Sequence, residues 1–117
     1  MLNNFIIIGR LCNDIEIQER GEGRRVVSLC LACNREFKNM EGLYDTDFLY
    51  VSLWEFQAEL AYQSLKKGAM VGVKGRILPK KVKLADGPEI TVCDLIGEKL
   101  IYLGSNKNSE SQEDIEG

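Results

Sequence analysis

Ten residues, KGRILPKKVK at 74–83, place Lys74, Arg76, Lys80, Lys81 and Lys83 together with no acid among them. Fixed cations at that density are suited to a row of phosphates, and the Asp86-Gly87 turn that follows makes the segment one limb of a basic arm. The blander role is a solvated hairpin edge whose lysines discourage aggregation. A second chemistry lies in DFLYVSLWEF at 47–56. On an extended strand Leu49, Val51 and Leu53 share one face, while Phe48, Tyr50, Trp54 and Phe56 share the other. Aliphatic residues fill a core; a face of aromatic rings can stack on flat, unpaired bases, and Phe37 is of the same kind. The competing role for these rings is packing under the helix, under a loop or against another subunit. Phe56, at the strand's end, is expected to pack beside the helix.

Other chemistries find less to work with. The chain has no histidine, and no GxSxG, P-loop or dinucleotide fingerprint occurs. Asp45 and Asp47 are two carboxylates at the start of a strand, where solvated turn residues are the rule. GRL at 9–11 and GRI at 75–77 are not phosphate loops. The reading is of a protein that is not an enzyme. Cys30 and Cys33 form a CxxC inside VVSLCLACN, a strand-like run. Three residues apart on a strand, their thiols point to opposite faces, so neither a metal clamp nor a disulfide follows. Cys12 and Cys93 stand alone. No metal and no cofactor is expected.

These groups must be carried by one small domain. The chain has 117 residues, 44% of them hydrophobic, which is ordinary for a single globular core. The formal net charge of −3 sits in residues 105–117, where Lys107 stands against Glu110, Glu113, Asp114 and Glu116. The other 104 residues carry 14 basic and 14 acidic side chains. An acidic pI therefore does not argue against a polyanionic partner. The longest apolar run, FIII at 5–8, is far short of the ~20 residues that span a bilayer. No leader-like segment opens the chain, and a cytoplasmic, nucleoid-associated protein is expected.

Strand-like segments cover 3–20, 24–37, 46–55, 69–78 and 89–103, with turns at Gly21–Gly23, Asn39–Gly42 and Ala85–Pro88. Gly9 and Gly75 interrupt strand patterns and mark bulges or bends. Lys74 and Arg76 fall opposite Val71, Val73 and Ile77, so the outer surface of this strand is basic. FQAELAYQSLKKG predicts one helix, with Ala58, Ala61, Tyr62 and Leu65 on its apolar face, Lys66 and Lys67 in its last turn and Gly68 closing it. The order β-β-β-α-β-β is that of a five-stranded OB barrel, an all-β fold with one helix between strands three and four. An SH3-like barrel has no natural place for that helix. Residues 1–104 form the domain; 105–117 form a short acidic tail too poor in apolar residues to order.

In order along the chain, MLNNFIIIGRLCNDIEI, LCLACNREF, FLYVSLW running into the AEL…LKKG helix, and VGVKGRI resemble bacterial-type single-stranded DNA-binding protein. The resemblance runs from residue 1 to about 103. It implies an OB fold, assembly as a homotetramer with a dimer as the alternative, and sequence-tolerant binding and protection of single-stranded DNA in replication, recombination and repair. It places Phe37, Phe48 and Trp54 at stacking positions and makes Arg10, Arg35, Lys74, Lys80 and Lys81 phosphate contacts. Tyr50, Arg76 and Lys83 join this site from the face and arm reading. Val82 stands where the family has an arm aromatic, and Glu55 where it has a basic or small residue; both departures weaken binding. The tail ends EDIEG, without the terminal Pro-Phe through which family members recruit replication and repair proteins, so the resemblance does not carry that role over. Two other readings remain: an OB-fold protein-interaction subunit of a primosome-like replication complex, and an RNA chaperone of the cold-shock manner.

Overall fold

The computed structural model describes residues 1–104, and the acidic tail expected at 105–117 lies outside the described residues. The elements run β1 (Phe5–Leu11), β2 (Gln18–Arg20), β3 (Arg24–Lys38), β4 (Tyr44–Trp54), α1 (Phe56–Ser64), β5 (Met70–Lys83) and β6 (Glu89–Gly104). Hydrogen bonding orders them β1-β5-β6-β4-β3-β2, and a further β1–β3 pairing closes the five long strands into a ring. Every pairing is antiparallel except β4–β6, which joins in parallel through Val51 with Leu95 and Ser52 with Ile96. A closed ring of five curved strands with its helix between the third and fourth is an OB fold.

The inner face is aliphatic because the strands alternate. Leu11, Val27, Leu29, Leu31, Val51, Leu53, Val71 and Val73 are fully buried, and Ala58, Ala61 and Leu65 join them from the helix segment. Each of the larger side chains contributes about 1.5–3 kcal/mol by leaving water. Leu49, the third member of the expected inner row of β4, is half-buried. Lys74 and Arg76 are exposed between buried Val71, Val73 and Gly75, as their alternation requires. Gly75 sits at a register shift between β5 and β6. A Cβ there would fall on the carbonyl of Ile96, so this close crossing admits only glycine.

Three sequence expectations are corrected. The first strand does not run unbroken from 3 to 20; it stops at Leu11, and a separate β2 starts at Gln18. Where it stops, the Asn13 side chain accepts from Cys30 N (2.9 Å) and donates to Ser28 O (3.0 Å), taking over the backbone groups of β3 that a continued strand would have paired. The helix ends at Ser64, with Leu65 extended and no basic residue in the last turn. The chain must turn back to β1 there: Gly68 N donates to Leu11 O and Leu11 N to Ala69 O, both at 2.8 Å. Gly68, at φ 97°, serves that turn rather than the helix end. Finally, Phe56 and Tyr62 do not pack inward, being 70% and 56% exposed. Nine residues of helix give the barrel only two buried positions, and Ala58 and Ala61 hold them.

The strand-to-helix corner is strained and then clamped. Glu55 adopts φ 52°, ψ −118°, a backbone region that L side chains rarely enter and that costs about 1–3 kcal/mol. Its carboxylate accepts from Arg25 N (2.6 Å), its own N–H donates to Arg25 O (2.9 Å), and the Arg25 guanidinium pairs with Glu59 one turn into the helix. These links to β3 fix the direction in which the preceding residue, Trp54, leaves the barrel.

Candidate nucleic-acid interface

The outer face of β4 is built from its even-numbered residues. Phe48 stands opposite Ala32, Tyr50 opposite Cys30, Ser52 opposite Ser28 and Trp54 opposite Val26. Each ring thus faces a smaller side chain on β3, and the rings are left bare: Phe48 is 57% and Tyr50 64% exposed. Trp54 is half-buried, with the Arg24 guanidinium 4.5 Å from its ring centroid. It lines a hollow of 330 Å³ that also receives Arg20, Lys80 and Ser52, with Asp14, Glu16 and Asp94 on the wall. Phe37, 81% exposed, stands farther along β3 near the β3–β4 turn. The expected stacking residues of β4 are therefore together, and Phe37 lies beyond them.

The cations divide by what they already hold. Arg35 grips Asp47 with two bonds of 3.0 Å and lies 4.0 Å from Asp45. That hydrogen-bonded guanidinium holds the Asp47 carboxyl below the usual carboxylate range. Asp45 and Asp47 are thus both ion-pair partners of Arg35. Arg76 pairs with Glu98 at 3.3 Å, and Arg10 donates to Gly68 O at 2.7 Å. Lys74, Lys80, Lys81 and Lys83 have no ion-pair partner among the described residues. β5 and β6 stay paired out to Lys83 with Glu89, so the basic arm is a continuous two-stranded ribbon. Alternation puts Lys80 on the side that meets the Trp54 hollow and Lys81 and Lys83 on the other. Lys74 is apart from both, its register partners being Ile6 and Lys99.

Cys12 does not stand alone. The β1–β3 register continues to it, and Cys12 N donates to Cys30 O at 2.8 Å. Cys30 lies beside Tyr50 and pushes its phenol up, while Cys33, on the opposite face, packs against the core. Burial first, and Cys30 second, push the Cys12 thiol up. The sequence pattern does not single out Arg20 or Arg24, because in RGEGRR they read as polar hairpin residues. Only the path of the hairpin past Trp54 brings them to the face.

A second outer face lies on β1, β5 and β6. Ile6 and Ile8 are 73% and 59% exposed, and with Ile101, Leu103, Lys74 and Lys99 they line a hollow of 200 Å³. From Phe5 to Gly9, β1 pairs only with β5, which leaves its other edge open over that stretch. Among the described residues no helix is long and apolar enough to cross a membrane.

The ring of strands and the aromatic row on its outer face place the molecule in the class of OB-fold proteins. Residues 2–103 match the single-strand binding protein family. The chain belongs to that family. It is 34% identical over 112 residues to single-stranded DNA-binding protein 1 of Lactococcus lactis, covering 96% of this chain and 75% of that one. It is 35% identical over 117 residues to single-stranded DNA-binding protein 3 of Streptococcus agalactiae, covering 100% and 84%. With single-stranded DNA-binding protein 2 of Listeria innocua it shares 34% over 110 residues, covering 94% and 69%.

Proposed function

We propose that the protein binds single-stranded DNA without strong sequence preference and protects it during replication, recombination and repair, acting in the cytoplasm on the nucleoid. The observation that carries this reading is the aromatic row on β4, Phe48 and Tyr50 bare and Trp54 half-buried beneath Arg24, each ring opposite a smaller residue. Stacking on aromatic rings is worth about 1–3 kcal/mol per base and tolerates any sequence, because every base has a flat face. Lys80, Lys81 and Lys83, together with Arg76 and Phe37, extend the path along the arm and β3. Arg10, Arg35 and Lys74 contribute where the strand passes their ends of the barrel, Arg35 after releasing part of its hold on Asp47. The role is binding, not catalysis.

A lone OB domain offers about 4–16 nucleotides of site, so wrapping longer DNA takes several copies. The open edge of β1 and the aliphatic face beside it supply two different contacts, one edge to edge and one face to face. Two contacts of that kind support a homotetramer built as a pair of dimers.

Titration with poly(dT) tests the reading. Trp54 fluorescence is expected to be quenched, and log affinity to fall linearly with log salt by about 0.7 per phosphate neutralised. A chain that leaves a labelled oligonucleotide unshifted at low salt would be a protein-interaction subunit instead, and preference for an RNA oligomer of equal length would favour the chaperone reading.

A further inference from the structure

The six arginines fall into two groups. Arg10, Arg25, Arg35 and Arg76 spend their guanidinium groups on Gly68 O, Glu59, Asp47 and Glu98. Arg20 and Arg24 hold no carboxylate or carbonyl among the described residues, and they are register partners at the end of the β2–β3 hairpin. Directly opposed residues of an antiparallel pair project to the same side with Cβ atoms about 4.5–5.5 Å apart, and like charges so placed destabilise the pair. Two permanent cations therefore face each other with no acid paired to either.

Both meet Trp54. Arg24 stacks on the indole at 4.5 Å, and Arg20 lines the hollow beside it together with Lys80, across from the carboxylates of Asp14, Glu16 and Asp94, none of which is ion-paired to it. Arg24 lies over the ring, while the hollow beside Trp54 is lined by Arg20 and Lys80 and not by Arg24. A guanidinium can stack by its face and still present N–H donors at its edge to a phosphate, which an ammonium cannot do.

We propose that Arg20 and Arg24 form a phosphate clamp: they grip the backbone phosphate beside a base stacked on the open side of Trp54, with Arg24 staying on the indole. The clamp rests on the single-stranded DNA reading above. It extends the interface from β4 to the hairpin end, and it gives the opposed charges a purpose, since one bound anion offsets their repulsion and makes a charge-assisted, two-armed contact.

The test is a titration of (dT) oligomers at several salt concentrations with Arg20→Gln, Arg24→Gln and the double variant, alongside thermal unfolding. Each single change is expected to weaken binding several-fold, and the double variant to flatten the salt slope by about 0.7, the value for the one phosphate the two arms share, while Arg20→Gln melts no lower than the parent. Arg24→Lys keeps the charge but loses the stack, and is expected to fall between parent and Arg24→Gln. Unchanged affinity and slope in the double variant would overturn the clamp. So would tighter binding by Arg24→Gln, which would make Arg24 a cover that a base has to displace. If the parent chain itself neither binds nor responds to salt, the DNA reading fails and the clamp fails with it.

Discussion

The barrel has two apolar outer faces, and they are made differently. On β4 the exposed residues are rings, each opposite a small partner, with arginines and a lysine at their margins. On β1, β5 and β6 they are Ile6, Ile8, Ile101 and Leu103, next to a strand edge that bonds nothing over five residues. Aliphatic side chains gain by losing water to any close-packed surface, and an open edge supplies backbone groups for another strand. Rings also gain from a flat partner, and cations at their margin from an anionic one. On the function proposed above, the difference separates a face offered to another copy of the chain from a face offered to nucleic acid.

The strongest way to break that division is to charge the aliphatic face. Ile6→Asp with Ile8→Asp should reduce the mass seen by light scattering to that of the single 13.2 kDa chain. Affinity for long poly(dT) should then fall by about 10²-fold or more, because linked copies no longer bind as one unit. Binding of an oligomer short enough for one domain should be unchanged. A variant that stays assembled would remove this face from the assembly.

Phe48→Ala should do the reverse, keeping the mass and costing about 1–3 kcal/mol of DNA affinity. Leu53, fully buried farther along the inner face, gives the contrast within the same strand: Leu53→Ala should cost about 2–5 kcal/mol of stability by opening a cavity. If Phe48→Ala unfolds the domain instead, the ring belongs to the core.

The smallest effect concerns Asp47. Its folded-state pKa is depressed by Arg35, so its stabilising contribution is present above the unfolded-state pKa and lost as pH falls through the lower folded value. Asp47→Asn should remove that acid-limb loss of stability, seen in thermal melts below about pH 4. At neutral pH it should release Arg35 and tighten DNA binding modestly, with a steeper salt slope.

Much of this was legible in the sequence, because it depends on alternation along single strands. The two faces of β4, the basic side of β5 and the helix follow from residue periodicity, and the order of the elements along the chain is that of an OB barrel. What periodicity does not carry is register between strands distant in sequence. Cys12 meets Cys30, Arg35 meets Asp47 and Arg24 meets Trp54 only after the ring closes. The end of the helix was misread for a related reason: its local pattern continues through Lys67, but the pairing of Gly68 and Ala69 with Leu11 calls the chain back sooner.

The ring has two short seams, β1–β3 with Arg10 opposite Ala32 and Leu11 opposite Leu31, and the parallel β4–β6 seam with Val51 opposite Leu95 and Ser52 opposite Ile96, while the neighbouring β5–β6 ribbon runs on to the tip of the arm. Joints that short are the first to part when the barrel breathes, and the β4–β6 seam should exchange its amides with solvent well before either flanking hairpin does. It lies between Tyr50 and Trp54. A polymer laid across those two rings would bridge the joint, so occupancy of the outer face would be recorded in the wall of the barrel as slower opening.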